Sequence, residues 1–177
     1  NGGSSDMTLN NHAEAVFDKD ASVRRVVGNA GSAVVVGDNA TLTLTSTDRN
    51  AYYTQVSDLD VRGTLRLKGG NGAIRIAGYE DGQVFNLGHL DIDGASGTTY
   101  VLTSGGVNYT TDIVVKSLSG GGANNTLQAS DCYNGGSVGM VIDFIIGETQ
   151  DHADLYTGKI QYGIGTSTSK AGSGMNL

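Results

Sequence analysis

Thr41-Leu42-Thr43-Leu44-Thr45 is the first of four similar stretches that decide the fold of this chain. The pattern returns as Thr64-Leu65-Arg66-Leu67-Lys68, as His89-Leu90-Asp91-Ile92-Asp93 and as Asp112-Ile113-Val114-Val115-Lys116. The first apolar positions, 42, 65, 90 and 113, are separated by 23, 25 and 23 residues. The stretches alternate apolar and polar residues, which is the period of a strand with one buried and one solvated face. Such regular spacing indicates a repeated structural unit.

Further apolar columns accompany the copies. Leu59 and Val61 precede the second copy, and Ile76 follows it. The unit is therefore three short strands in about 24 residues, joined by corners rich in Gly, Asn and Asp. One unit cannot bury its own apolar side chains, so stacked units predict a parallel β-helix (solenoid). Its inward file would contain the first apolar residue of each copy, namely Leu42, Leu65, Leu90 and Ile113. An antiparallel β-sandwich or jelly roll is the alternative, since it also has short alternating strands.

Composition excludes several classes of protein. Gly contributes 28 of 177 residues, and Pro and Trp are absent, which disfavours helices and favours an all-β chain. The single cysteine, Cys132, excludes an intramolecular disulfide, and no apolar run approaches the ~20 residues that span a bilayer. The formal charge of -7 argues against nucleic acid as a partner, because nucleic-acid binding depends on clustered Lys and Arg. We therefore expect no nucleic acid and no membrane insertion of this segment.

The chain is expected to form a single domain, or a fragment of one, over residues 1–177. Residues 1–32 would be an N-terminal cap, 33–118 regular coils, and 119–177 irregular C-terminal coils or a second cap. Asn11 followed by Glu14 resembles a capping box, so a short helix is predicted to begin there and cover the first coil. The chain starts at Asn1 without an apolar signal region, which favours a mature or excised segment.

Two stretches carry a resemblance to a known family. Gly63 to Gly69 reads Gly-Thr-Leu-x-Leu-x-Gly, and Leu87 to Gly94 reads Leu-Gly-x-Leu-x-Ile-x-Gly. These motifs, over roughly residues 33–116, resemble the passenger regions of bacterial autotransporters and related β-helical surface adhesins. The resemblance implies a right-handed β-helix, export across the outer membrane, and adhesion or display at the cell surface. Carbohydrate lyases share this fold, so function does not follow from fold alone.

Paired carboxylates are the first candidates for a charged site. Asp91 and Asp93 lie two residues apart on a predicted strand and so share a face, as do Asp58 and Asp60. Because Ca²⁺ takes carboxylate oxygens as ligands, Asp91 and Asp93 are the predicted metal ligands, and no other cofactor is expected. The three histidines lack the spacing of a helical zinc site, and no nucleophile elbow or phosphate loop occurs. No catalytic residue is therefore predicted.

Tyrosines near the predicted corners are the candidate ligand contacts, because their rings can stack on sugars or on a partner surface. The predicted ligand-binding residues are Tyr79, Tyr100 and Tyr109. Asp151-His152-Ala153-Asp154 is the densest titratable cluster, and it is interpreted as an exposed loop.

The leading hypothesis is a non-enzymatic, secreted or cell-surface β-helical adhesin or display segment. Its partner would be a glycan or a protein on a host or neighbouring-cell surface. One alternative is a polysaccharide-active lyase or hydrolase, in which Arg66 and Arg75 are the only candidates for holding a substrate carboxylate. A further alternative is a carbohydrate-binding β-sandwich module or a phage tail-fibre segment.

Overall fold

A computed structural model describes residues 5–45, 54–68, 73–79, 83–93, 99–101, 111–122, 125–128, 141–144, 155–161 and 174–176. Within these residues it contains sixteen strands and no helix. The strands are β1 (Asp6–Thr8), β2 (Glu14–Phe17), β3 (Ala21–Val23), β4 (Arg25–Val27), β5 (Ala33–Val36), β6 (Thr41–Leu44), β7 (Thr54–Gln55), β8 (Asp58–Leu67), β9 (Ala73–Ala77), β10 (Gln83–Ile92), β11 (Thr99–Val101), β12 (Thr111–Gly120), β13 (Thr126–Gln128), β14 (Val141–Phe144), β15 (Lys159–Gln161) and β16 (Gly174–Asn176).

The strands belong to two sheets. The seven-stranded sheet has the order β1-β4-β7-β9-β11-β13-β15. The nine-stranded sheet follows the path β16-β14-β12-β10-β8-β5-β2, with β3 paired to β6 and β6 paired to β8. The chain returns repeatedly to each sheet, and every described pair of strands is parallel.

The core lies against one face of both sheets. In β8 every second residue from Leu59 to Leu67 is buried, as period-2 alternation requires. Val26 and Ile76 of the seven-stranded sheet belong to the same hydrophobic cluster as Leu65 and Phe85 of the nine-stranded sheet. The opposite face of β8 carries the polar residues of the alternation.

The predicted inward file is confirmed for its first three members. Leu42 pairs in register with Leu65, and Leu65 with Leu90. The fourth member is wrong, because Leu90 pairs with Leu118, whereas Ile113 pairs with Phe85. The spacing therefore grows from 23 and 25 residues to 28 between Leu90 and Leu118, and a constant period aligns the fourth copy incorrectly.

Two parallel sheets replace the fold predicted from the sequence. The sequence predicts a right-handed parallel β-helix (solenoid) with short terminal caps and with three short strands in each coil of about 24 residues. That prediction is wrong. The described strands form two sheets, and β8, β10 and β12 are single ten-residue strands where the sequence pattern predicts two. The antiparallel β-sandwich or jelly roll is also wrong, because the described pairs are parallel.

Gly63 and Gly88 explain why these strands continue. The sequence pattern separates Leu59 and Val61 from the copy that begins at Thr64, but Gly63 lies inside β8 and Gly88 inside β10. A Cβ at Gly63 would overlap carbonyl oxygens of the turn between β5 and β6, and one at Gly88 would lie 2.8 Å from two carbonyl oxygens of β8. The register with β8 also shifts between Leu87 and His89. These glycines therefore permit close backbone approach and a bulge within a strand.

The predicted N-terminal helix is also wrong. Asn11 and His12 have positive φ angles of 27° and 59°, so the chain turns there in the left-handed region. Glu14 then begins β2, which pairs with β5. The division of the chain after residues 32 and 118 stays a prediction.

Candidate functional site

A line of polar side chains crosses the strands on the outward face of the nine-stranded sheet. In the register, Ser22 lies beside Thr43, Thr43 beside Arg66, and Arg66 beside Asp91. Arg66 Nε donates a hydrogen bond to Asp91 Oδ2 at 2.6 Å. Because these positions alternate with the buried leucine file, they lie on the solvent side. Thr43, Arg66 and Asp91 therefore lie side by side on three neighbouring strands.

These side chains border an open groove of about 620 Å³. The residues that line it are all polar or charged, namely Ser22, Thr43, Thr45, Arg66, Lys68, Asp91 and Asp93. Backbone hydrogen bonds of 2.9–3.0 Å extend the strand pairing through positions 45, 68 and 93. Since positions two apart on a strand share a face, Thr45, Lys68 and Asp93 form a second line across the strands, beside the first.

Opposite charges meet along the middle of the groove. The Arg66 side chain is 47% exposed and the Asp91 side chain 19% exposed. An exposed ion pair contributes about 0–1 kcal/mol to stability. The chief effect of this pair is therefore to fix the orientation of both side chains.

A hydrogen-bonded chain connects Asp91 to His89. Ser119 Oγ donates to Asp91 Oδ1 at 3.1 Å and lies 3.0 Å from His89 Nε2. His89 Nδ1 lies 2.7 Å from Ser117 Oγ. Because the only hydroxyl proton of Ser119 goes to Asp91, His89 Nε2 must donate to Ser119. In the neutral ring, Nδ1 then accepts from Ser117.

This arrangement differs from a nucleophilic triad. In a Ser-His-Asp triad the histidine lies between the serine and the carboxylate and accepts the serine proton. Here Ser119 lies between His89 and Asp91 and donates a hydrogen bond to the carboxylate. Ser117 is fully buried, so a substrate cannot reach its hydroxyl. The Asp91 carboxylate is therefore held in position at the groove by the chain of hydrogen bonds through Ser119, His89 and Ser117.

The predicted metal ligands, Asp91 and Asp93, both line this groove. Asp91 accepts hydrogen bonds from Arg66 on one oxygen and from Ser119 on the other. Ca²⁺ takes roughly six to eight oxygen ligands, and a guanidinium in contact with Asp91 repels a dication. In the part of the chain that the structure describes, no group of three or more His, Cys, Asp or Glu could hold a metal. These residues fit Ca²⁺ poorly, and Ca²⁺ binding stays a prediction.

Of the three predicted ligand-binding tyrosines, Tyr79 makes its contacts away from the groove. The hydroxyl of Tyr79, which is partly buried, donates to the Gly28 carbonyl, and its backbone N–H donates to Gln83 Oε1. Tyr100 lies in β11 of the seven-stranded sheet. Tyr109 lies outside the described residues. Tyr79 thus joins distant backbone segments, and a ligand-binding role for the three tyrosines stays a prediction.

The remaining candidates lie beyond the groove lining or outside the described residues. Asp60 accepts a hydrogen bond from Arg62 Nε at 2.9 Å, and this bond raises the pKa of Arg62. Asp58 is exposed at the start of β8, and Arg75 lies in β9 of the other sheet. Cys132 and the cluster at positions 151–154 lie outside the described residues.

Lys68, Ser117 and Ser119 are among the residues of the site that sequence reasoning did not single out. Lys68 follows Arg66 by two positions, as Asp93 follows Asp91, so the same-face rule could have identified it. Ser117 and Ser119 carry no comparable signal. Their positions beside His89 and Asp91 depend on the register of β12 with β10, which the constant repeat period predicts incorrectly.

Comparison with known proteins reveals no relative. No protein-family profile, curated protein or solved structure matches this chain. The resemblance to autotransporter passengers therefore depends on its sequence motifs alone. Among the described residues, no helical segment has the length and apolarity needed to cross a membrane.

Proposed function

We propose that this chain is a non-enzymatic adhesin or display segment of a secreted or cell-surface protein. The groove would bind a glycan or a protein on a host or neighbouring-cell surface. The observation that carries the proposal is an open groove of about 620 Å³ whose lining is entirely polar or charged. Ligand-binding sites are concave, and their fixed polar groups set the orientation of the ligand.

The strands beneath the groove give it a rigid support. Leu42, Leu65 and Leu90 are at most 1% exposed and lie on the same strands as the groove side chains. Hydrogen bonding between these parallel strands sets their separation at about 4.8 Å. A surface that is already ordered loses less conformational entropy when a ligand binds, which favours a binding role.

The direction of the hydrogen bonds favours binding over catalysis. Ser119 donates to Asp91 and accepts from His89, so the histidine does not take the serine proton as it does in a Ser-His-Asp triad. His89 is 7% exposed and hydrogen-bonded through both ring nitrogens. These side chains orient the carboxylate of Asp91 as an acceptor for a ligand.

A polysaccharide-active lyase or hydrolase is the second candidate. The observation that favours it is the position of Arg66 beside Asp91, because an arginine can hold a substrate carboxylate by paired hydrogen bonds. This candidate requires turnover of a polymer, which the binding proposal does not.

The test measures binding and turnover with the same protein. The full 177-residue chain is applied to a carbohydrate array and to intact cells, and release of reducing or unsaturated sugars is followed in parallel. We expect saturable binding without sugar release, weakened in Arg66→Gln and retained in Arg62→Gln. Arg62 is the matched control because it lies on the same strand and pairs with Asp60 away from the groove. Sugar release would favour the enzyme, and the absence of any binding would reject the proposal.

A further inference from the structure

Three adjacent strands present three different kinds of hydrogen-bonding group to the groove. We call them the hydroxyl row, the donor row and the acceptor row. The hydroxyl row is Thr43 with Thr45, the donor row is Arg66 with Lys68, and the acceptor row is Asp91 with Asp93. Arginine and lysine only donate, ionised aspartate only accepts, and a threonine hydroxyl can do both, although that of Thr45 already donates to the Val23 carbonyl at 3.3 Å. A ligand crossing the strands therefore meets donors and acceptors in turn.

We infer that the ligand is a neutral, hydroxyl-rich glycan lying across the strands. Each sugar hydroxyl both donates and accepts, so the same kind of group can satisfy all three rows. The inference rests on the proposed binding function and adds the chemical class of the ligand.

Charged ligands fit the groove less well. An anionic polymer would bring its negative charges close to Asp91 and Asp93 in the groove, on a chain whose formal charge is already -7. A cationic peptide would meet Arg66 and Lys68. Like charges brought together in an interface reduce affinity, whereas a neutral ligand meets equal numbers of opposite charges without repulsion.

The ion pair at the centre leaves hydrogen-bonding capacity for such a ligand. Arg66 uses its Nε for Asp91, and the guanidinium has four further N–H donors. Asp91 is held by Arg66 and by Ser119, but each carboxylate oxygen has two acceptor positions. Both groups can therefore contact a hydroxyl without separating from each other.

The experiment uses the direction of affinity change in two opposite variants. The full chain is titrated with neutral oligosaccharides (cello-, manno- and xylo-oligosaccharides) and with acidic ones (oligogalacturonate and sulfated glycosaminoglycan fragments). For a neutral glycan, Arg66→Gln and Asp93→Asn should each weaken binding, by about tenfold for a lost charged hydrogen bond. An anionic ligand would instead bind more weakly to Arg66→Gln and more tightly to Asp93→Asn. A cationic ligand would show the reverse pattern.

Two controls keep these results interpretable. Arg62→Gln and Asp58→Asn make the same chemical changes on β8 outside the groove, so they should leave affinity unchanged. Lys68→Gln replaces Arg66→Gln if that variant has an altered circular dichroism spectrum, because Lys68 is exposed. Salt provides a further measure, since binding of a neutral glycan should change less than about twofold between low and physiological ionic strength.

The outcomes separate this inference from the proposed function. Opposite affinity changes in the two variants, or steep salt dependence, overturn the neutral-glycan class while binding at the groove remains. Binding to cells that protease treatment abolishes, without binding to any oligosaccharide, also overturns it and indicates a protein partner. Binding to neither cells nor oligosaccharides rejects the proposed function itself.

Discussion

Replacing Leu65 with alanine removes the branched end of a side chain in the middle of the inward file. Leu65 is 0% exposed and lies between Leu42 on one side and Leu90 on the other. The lost transfer free energy is roughly 2.4 kcal/mol, taking about three carbon groups at ~0.8 kcal/mol each. A cavity that the neighbouring strands cannot close raises the cost, so the expected destabilisation is about 2–5 kcal/mol.

Urea unfolding followed by circular dichroism measures this change. Tyrosine fluorescence is a second probe, because the chain has eight tyrosines and no tryptophan. Thr64→Ala is the control, since Thr64 is the adjacent residue on the opposite face of β8, and we expect a change within about 0.5 kcal/mol. If both variants lose the same small free energy of unfolding, the assigned inward and outward faces of β8 are wrong.

Three further predictions test other parts of the fold. Gly88→Ala should destabilise the protein by about 1–3 kcal/mol in the same urea assay, because the new Cβ would lie 2.8 Å from carbonyl oxygens of β8; a neutral variant would show that the strands separate easily there. Asp6 accepts a hydrogen bond from Arg24 at 2.6 Å and pairs with Arg25 at 2.9 Å, contacts that hold the pKa of Asp6 well below its usual range. A carboxyl that is more acidic in the folded state stabilises it above the pKa of the unfolded chain, about 4, and this contribution is lost as the pH falls. Between about pH 5 and 2 the wild type should therefore lose more stability than Asp6→Asn, and parallel pH profiles would contradict this. In a Cys132→Ser background, Thr43→Cys with Arg66→Cys should form a disulfide on oxidation, because paired positions on neighbouring strands lie about 4.8 Å apart; Thr43→Cys with Asp91→Cys, two strands apart, should not.

The alternation of apolar and polar residues predicts which face of a strand each side chain occupies, but it does not predict how the strands are arranged in the fold. Leu65 and Arg66 are adjacent in sequence, and their apolar and charged characters place them on opposite faces of β8. Glycine carries no such information. The same residue type serves at turns and at close backbone contacts within strands, so Gly63 and Gly88 do not reveal in the sequence that β8 and β10 continue through them.

The His89 chain shows a second limit of sequence reasoning. Ser117 and Ser119 lie 28 and 30 residues from His89, and no local motif links them to it. Their approach depends on the pairing of β10 with β12, in which Leu90 meets Leu118. Because the fourth copy was aligned on Ile113, no period taken from the first three copies could have brought these serines to Asp91.

Core and groove depend on the same strands. Leu65 and Leu67 point inward while Arg66 points outward, so the strand that packs against the core also holds Arg66 between Thr43 and Asp91. A cavity at Leu65 should therefore disturb ligand binding only through movement of the backbone, whereas Arg66→Gln acts on the ligand directly. A variant such as Leu65→Ala that lowers the free energy of unfolding yet preserves affinity would show that pairing between the strands, more than leucine packing, holds the rows of the groove in place.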